Sequence, residues 1–209
     1  MILQCQPQLV SLLQPLWTEI NVIASKATVP TFDTYLPLLS LPRIFNTILE
    51  TIPFPEGYIQ APPLAPLPLR GELKIGITWH STPKSPLMSQ VSQKKCCSLS
   101  PFQFLTFFPE VHLYSFQMGE AVKDLRMVDF PIENLQPFIQ DFRDTAAFIT
   151  QMDLIITIDT AFAHLAASMG KPTWILLPFV PNWRWLLERE DSPWYKSVKL
   201  FRQSQINDW

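Results

Sequence analysis

Three groups of polar side chains follow segments of the chain that read as buried β-strands. They are His80, Ser81, Thr82 and Lys84; Gln117, Met118, Gly119 and Glu120; and Asp159, Thr160 and Ala161, with His164 one helical turn further on. Hydroxyl groups, a lysine and the N–H groups of a helix N-terminus suit phosphate, and a carboxylate suits ribose hydroxyls. Together the three groups predict a site for a nucleoside diphosphate at one edge of a sheet.

The last group lies in the clearest structural unit of the sequence, a strand–helix–strand segment over residues 153–177. Residues 154–158 form an apolar, β-branched run, as in a strand that is buried on both faces. Asp159 and Thr160 offer side-chain oxygens as a helix N-cap, and Gly170 is placed to end the helix. Residues 173–177 then begin a second buried strand. Open parallel sheets bind ligands outside the carboxyl ends of such strands.

The rest of the chain also alternates between strand and helix patterns. We predict strands at 2–3, 21–24, 32–39, 73–79 and 111–116, and helices at 7–17, 42–50, 100–107, 119–127 and 144–152. The alternation predicts an α/β fold, with a parallel sheet that carries helices on both faces. Residues 55–70 are rich in proline and read as an extended linker, with an ordered, irregular crossover as the alternative.

Composition excludes several classes of protein. The 209 residues are 47% hydrophobic and 16% charged, which predicts a packed core, and the net charge of -2 gives no electrostatic reason to bind nucleic acid. No apolar run approaches the ~20 residues of a membrane span. Three cysteines, without a signal peptide or metal-ligand spacing, favour a cytoplasmic protein and predict no metal site. Phosphate loops of the P-loop and GxGxxG kinds are absent.

A family resemblance rests on the run IDTAFAHLAASMGKPTWILLPFVPNWRWLLEREDSPWYKSVKLFRQ at residues 158–203. Its Asp-Thr-Ala-x-x-His signature, WRWLL block, DSPWY and LFRQ resemble the C-terminal part of glycosyltransferase family 9. These heptosyltransferase-like domains often end bacterial tetratricopeptide-repeat proteins. KIGITW at 74–79, YSFQMGE at 114–120 and LLSLPRIFNTILETIP at 38–53 resemble further parts of the same domain.

The resemblance implies a GT-B-like fold with one complete Rossmann-like half, residues 71–209, which holds the donor nucleotide. Residues 1–54 would be a remnant of the N-terminal, acceptor-binding half, joined by the linker at 55–70. Most of that half, and any repeat domain, would lie outside this sequence. The implied activity is transfer of a sugar from a nucleotide diphosphate donor to a glycan or protein acceptor, with no metal or other cofactor.

The resemblance also implies roles for individual residues. Thr160 and the backbone amides of Thr160 and Ala161 would hold the diphosphate, in a pocket lined by Asp159 and His164. Glu120 would bind ribose, with Gln117 beside it. The loop with Ser81 and Thr82 would supply a cationic phosphate contact, from Lys84, Lys94 or Lys95. No residue matches the family's general base.

Structural interpretations stand beside these roles. His164 is also consistent with a hydrogen-bonded core histidine, Asp159 and Thr160 with a simple N-cap, and Glu120 with a favourable charge in a first helical turn. The block at residues 183–185 is either a stacking platform for a base or a packed corner. The alternative function is a non-catalytic nucleotide-binding or protein-interaction module derived from a glycosyltransferase.

Overall fold

The computed structural model describes residues 1–61, 69–81, 94–206 and 208–209. The strands in this part of the chain are β1 Ile2–Cys5, β2 Asn21–Ala24, β3 Leu73–Thr78, β4 Val111–Ser115, β5 Glu133–Asn134, β6 Leu154–Ile158, β7 Thr173–Leu177 and β8 Val198–Arg202. The α-helices are α1 Pro7–Leu13, α2 Leu41–Ile44, α3 Phe142–Thr150 and α4 Ala161–Ser168. Short 3-10 helices cover Gln14–Leu16, Leu38–Ser40, Leu49–Thr51, Ser100–Phe107, Gly119–Met127, Gln136–Phe138 and Trp183–Trp185.

Six strands form one sheet in the order β5-β4-β3-β6-β7-β8, and all of its neighbouring strands are parallel. The chain runs outward from β3 to β5, then returns to place β6 on the other side of β3. This order is that of a Rossmann-like sheet, in which the direction of strand addition reverses between the two central strands. The structure therefore confirms the predicted α/β class and the parallel sheet.

Both faces of the sheet are covered, as the continuous apolar strands predict. Ile155 of β6 packs in a cluster with residues of α3 and α4, including Ile149 and Phe162. Its neighbour Ile156 points to the opposite face and joins a second cluster with Phe102 of a 3-10 helix. Burial of successive side chains on opposite faces is what a strand in the middle of an α/β sheet requires.

Residues near the N-terminus form a separate parallel pair, β1-α1-β2, that packs on the main sheet through its helix. Leu12 of α1 is 1% exposed and belongs to the same apolar cluster as α3. The Ser11 hydroxyl donates to Asp141 Oδ2 at 2.5 Å, and Asp141 Oδ1 in turn accepts the backbone N–H groups that begin α3. Helix α1 is therefore tied to the cap of α3 as well as to the core.

The described beginning of the proline-rich segment lies against the end of α4. The backbone N–H groups of Tyr58 and Ile59 both donate to the carbonyl of Ser168, at 2.7 and 2.9 Å. Gly170 ends α4 with φ +71°, as predicted. A Cβ atom on Gly170 would lie 2.7 Å from the carbonyl oxygen of Glu56. The backbones of the two segments are therefore too close together for a side chain at this position.

Two of the predicted elements are wrong. Residues 32–39 contain no strand, and the helix predicted over 42–50 is limited to Leu41–Ile44 and a turn at Leu49–Thr51. Large apolar side chains in this region stay in solvent, with Leu39 93% and Phe45 73% exposed. Without a packed face, short apolar segments gain too little to form regular structure.

The remaining elements follow the prediction with smaller changes. The segments at 100–107 and 119–127 are 3-10 helices, and sequence analysis did not predict strands β5 and β8 at the two edges of the sheet. Among the described residues, no helix combines the length and the apolar character that crossing a membrane requires.

Candidate functional site

The candidate site lies where β3 and β6 diverge. Thr78 and Thr157 face each other at the ends of these strands, with their buried hydroxyl oxygens 2.5 Å apart. Beyond them the chain leaves β3 into the loop that begins at Trp79, and leaves β6 into helix α4. Such a reversal point opens a crevice at the carboxyl edge of the sheet, the place where open α/β sheets bind ligands.

A largely buried ion pair lies at this edge of the sheet. Asp159 directly follows β6, and its side chain is 3% exposed; Lys95 Nζ lies 2.7 Å from Asp159 Oδ2. Burial alone would raise the pKa of the Asp159 carboxyl. The neighbouring His164 and Lys95, which donates a hydrogen bond and carries a positive charge, outweigh burial and hold the pKa well below its usual range. Asp159 is therefore a carboxylate at any physiological pH.

His164 is held on the other side of Asp159. Its Nε2 lies 3.7 Å from Asp159 Oδ1, and its Nδ1 lies 3.1 Å from the hydroxyl of Tyr195. The imidazole stacks on Trp185, with ring centroids 5.2 Å apart and planes 12° apart. The histidine thus has fixed partners on both nitrogens and on one ring face.

The N-terminus of α4 lacks the predicted side-chain cap. Thr160 occupies the N-cap position with φ -136° and ψ 173°, but no side chain accepts a hydrogen bond from the first turn of the helix. The Thr160 hydroxyl oxygen is itself buried with no partner among the described residues. The prediction that Asp159 or Thr160 caps the helix is therefore wrong, because Asp159 turns instead toward Lys95 and His164. No described side chain caps the N–H groups of the first turn, which suit an anion.

The loop after β3 closes near the site and brings Lys95 to it. The Cys97 N–H donates to the Trp79 carbonyl at 3.0 Å, and the Ser81 N–H donates to Cys96 Sγ at 3.3 Å. The chain therefore returns beside the end of β3 just after Lys95. Of the predicted loop residues, Thr82 and Lys84 lie outside the described part of the chain, whereas Lys94 is exposed.

Gln117 acts as a clamp between the ends of β3 and β4. Its side chain is buried, and its Oε1 accepts the N–H groups of Trp79 and His80 at 3.1 and 2.9 Å. Its Nε2 donates to the carbonyls of His80 and Met118. These four bonds use the amide of Gln117 to hold the backbone where the loop leaves β3.

Glu120 is not joined to this cluster. Its side chain is 89% exposed and forms an ion pair with Lys123 one helical turn away. The hydrogen bond and charge of Lys123 lower the pKa of the Glu120 carboxyl. Within the described residues no hydrogen bond or ion pair connects Glu120 to Asp159, Lys95 or His164.

The tryptophan block divides into a buried and an exposed half. Trp185 is fully buried in the core around β7 and β8, which fits the packed-corner interpretation. Trp183 is 70% exposed, with the Arg184 guanidinium 5.8 Å from its ring centre and Trp194 packed edge-on. Sequence reasoning missed Tyr195 as a partner of His164. The only available signal was its place in the DSPWY motif.

Two curated proteins have sequences similar to this chain. Protein FlbA of Caulobacter vibrioides is 26% identical over 145 residues, which is 65% of this chain and 23% of that protein. Putative lipopolysaccharide heptosyltransferase 4 of Escherichia coli K12 is 30% identical over 102 residues, which is 47% of this chain and 28% of that protein.

The chain thus spans about a quarter of the length of these relatives. No family model matches the chain, and no solved structure matches it. The similarity to the heptosyltransferase, together with the Rossmann-like sheet, supports a distant, glycosyltransferase-like relation.

Proposed function

We propose that this chain binds a nucleotide diphosphate sugar at the reversal point of its sheet, as the donor-binding half of a glycosyltransferase. The observation that carries the proposal is the cluster of Lys95, Asp159 and His164 beside the uncapped N-terminus of α4. The partial similarity to a protein named as a putative lipopolysaccharide heptosyltransferase supports the same class of reaction.

The electrostatics of the cluster favour a diphosphate. The N–H groups at the start of α4 carry the partial positive charge of the helix dipole, and the Thr160 hydroxyl beside them has no hydrogen-bond partner among the described residues. Lys95 adds a full positive charge, which Asp159 holds in place at 2.7 Å. Asp159 therefore serves to orient cations, and the phosphate contacts come from Lys95, Thr160 and the backbone of α4.

The same groups suit the chemistry of sugar transfer. In that reaction the bond between the sugar C1 and the diphosphate oxygen breaks while a bond from an acceptor hydroxyl to C1 forms. Negative charge grows on the departing diphosphate, and donors fixed at that position lower the barrier. We propose that Lys95 and the α4 N-terminus supply this stabilisation without a metal. The acceptor is a glycan or a protein, and its hydroxyl proton passes to a base that we do not assign here.

Isothermal titration calorimetry with UDP, ADP and GDP tests the proposal, in EDTA and then with Mg²⁺. We expect saturable binding of one nucleotide in EDTA. We expect Lys95→Met to weaken it about tenfold, as for loss of one charge-assisted hydrogen bond. Lys94→Met tests the neighbouring candidate lysine and should have a small effect, and Lys26→Met, at an exposed lysine outside the cluster, is the control. A folded wild-type chain that binds none of the three nucleotides would refute the proposal.

One observation favours the second candidate, a protein-interaction module. Residues 32–54 present large apolar side chains to solvent, among them Leu39, Phe45 and Phe54 at 93, 73 and 70% exposure. Exposed apolar surface on this scale is typical of a contact region. Light scattering of the wild type and of Leu39→Glu/Phe45→Glu at increasing concentration distinguishes the two functions. Association that the double variant abolishes, in a chain that binds no nucleotide, would favour the module.

A further inference from the structure

A chain of polar contacts connects the candidate site with the segment that follows β7. The Tyr195 hydroxyl lies 3.1 Å from His164 Nδ1, and His164 Nε2 lies 3.7 Å from Asp159 Oδ1. Lys95 occupies the other carboxylate oxygen of Asp159, at 2.7 Å. The imidazole therefore stands between a phenol and a buried carboxylate, with one ring nitrogen facing each.

The chemistry of these partners determines which nitrogen carries the proton. An ionised carboxylate offers only acceptor oxygens and negative charge, so at 3.7 Å it favours an N–H over a lone pair on the nitrogen that faces it. In a neutral imidazole the other nitrogen is then an acceptor, and the hydroxyl of Tyr195 must donate to it. This assignment makes His164 the Nε2–H tautomer.

The ring itself is also restrained. Trp185, fully buried, stacks on one face of the imidazole, and Tyr195 packs beside it with ring centroids 5.9 Å apart. A stacked imidazole cannot rotate without losing its contact with Trp185, so the orientation of the ring is fixed. The hydrogen bond at Nδ1 then decides which of the two ring nitrogens carries the proton. Tyr195 is thereby in the position of an outer partner that selects a histidine tautomer.

The phenol is in turn supported by the start of the proline-rich segment. Burial, with Tyr58 beside it, raises the pKa of the Tyr195 hydroxyl, which keeps it protonated, and the backbone N–H of the next residue, Lys196, donates to the Pro55 carbonyl at 2.8 Å. The backbone N–H of Tyr58 is anchored on the Ser168 carbonyl of α4 at 2.7 Å. The phenol and the helix that carries His164 are thus tied to the same segment.

We propose that Tyr195 is a positioning residue that holds His164 as the Nε2–H tautomer, so that the ring nitrogen that faces Asp159 carries the proton and helps to keep the carboxylate oriented toward Lys95. This inference rests on the proposed function for the identity of the ligand, a nucleotide diphosphate. Its structural part, the tautomer of His164, concerns the protein without ligand.

Long-range ¹H–¹⁵N correlation spectra of the full chain test the structural part. They are recorded at about pH 8, above the ordinary pKa of histidine. The chain has three histidines, and His164→Gln identifies the signals of His164 by their loss. We expect the wild type to show a protonated Nε2 and an unprotonated Nδ1. Tyr195→Phe keeps the ring and removes the hydroxyl, and we expect a mixture of both tautomers. Tyr35→Phe, at a tyrosine that is 80% exposed, is the control and should leave the spectrum unchanged.

Calorimetry of the same variants with the nucleotide that the wild type binds tests the functional part. We expect Tyr195→Phe to weaken binding by about three- to tenfold, the range for one hydrogen bond, with an unchanged thermal midpoint or a small loss. A protonated Nδ1 in the spectrum of the wild type would overturn the inference. So would a Tyr195→Phe variant in which both the tautomer of His164 and the affinity for the nucleotide are those of the wild type. A wild type with the expected tautomer but no affinity for any nucleotide would overturn the proposed function, leaving Tyr195 as a determinant of the histidine alone.

Discussion

Replacement of Lys95 by methionine should destabilise the fold, because it leaves a buried carboxylate without its nearest cation. Asp159 keeps only 3% of its side-chain surface in solvent, and Lys95 Nζ is 2.7 Å from its Oδ2. The variant removes the ammonium group and keeps most of the length of the side chain. The energetic cost then reports on the ion pair more than on lost packing.

The magnitude follows from the geometry. Two unit charges at this distance attract by about 6 kcal/mol in a medium with an effective dielectric constant near 20. Desolvation of both groups offsets a large part of this attraction, and removal of one partner of a buried pair typically costs about 3 to 5 kcal/mol. Lys95 retains 21% exposure and His164 remains beside Asp159. We therefore expect Lys95→Met to lower the free energy of unfolding by about 2 to 3 kcal/mol.

A double-mutant cycle isolates the pair. Lys95→Met, Asp159→Asn and the double variant are unfolded with urea, followed by tryptophan fluorescence, and compared by midpoint at constant slope. We expect a coupling free energy of about 2 kcal/mol, so that the double variant loses less stability than the two single variants lose together. Lys26→Met, at an exposed lysine, should change stability by less than about 0.5 kcal/mol.

The pH dependence gives a second readout of the same pair. The pKa of Asp159 is lowered in the folded state, so the unfolded chain takes up a proton near pH 4 while the folded chain does not. The stabilisation is thus complete above about pH 5 and is lost as the pH falls toward the folded-state pKa. The difference between the wild type and Lys95→Met should narrow below about pH 4. A coupling under about 0.5 kcal/mol, or a difference independent of pH, would refute the reasoning.

Three further predictions concern stability. Thr160→Val should leave the thermal midpoint unchanged or raise it slightly, since in the described part of the chain the buried Thr160 hydroxyl has no hydrogen-bond partner and caps no N–H group; a loss of about 1 kcal/mol would instead indicate a cap. Gln117→Leu should lower the free energy of unfolding in urea by about 2 to 4 kcal/mol, because it leaves buried backbone groups at the ends of β3 and β4 without hydrogen-bond partners. Glu120→Gln, at an exposed residue, is the control and should be nearly neutral; equal effects of the two variants would contradict the role of Gln117 as a clamp. Gly170→Ala should cost about 2 kcal/mol, because φ is +71° and the new Cβ meets the Glu56 carbonyl; an unchanged midpoint would contradict that close approach.

Much of the fold follows from local sequence pattern. The apolar runs at 154–158 and 173–177 coincide with β6 and β7, and Gly170 ends the helix between them. These features depend on neighbours within a few residues, so a sequence contains the information directly. The alternation of strand and helix patterns similarly implies a parallel sheet, because each strand needs a crossover to return to the same end.

The prediction of secondary structure was wrong where an apolar segment has no surface of the fold to pack against. Residues 32–50 have the apolar content of a strand and a helix, but their large side chains stay exposed and the chain remains mostly irregular. Regular structure in short segments depends on a face to pack against. A single sequence does not show whether such a face exists.

In the candidate site, too, residues close together in sequence could be predicted, and contacts between distant residues could not. Asp159, Thr160 and His164 lie within five residues of each other along the chain, so their spacing alone places them at one strand–helix joint. Lys95 is 64 residues from Asp159, and its sequence does not distinguish it from Lys84 or Lys94. The pairing of Lys95 with Asp159 depends on how the loop after β3 closes and on β6 lying next to β3.

The partners of the site residues depend on long-range packing in the same way. Tyr195 reaches His164 across 31 residues of chain, and Gln117 reaches His80 across 37. Gln117 illustrates the physical reason: an amide suits a ribose and a backbone equally well. Only the order of the strands, which places the ends of β3 and β4 side by side, commits it to the backbone.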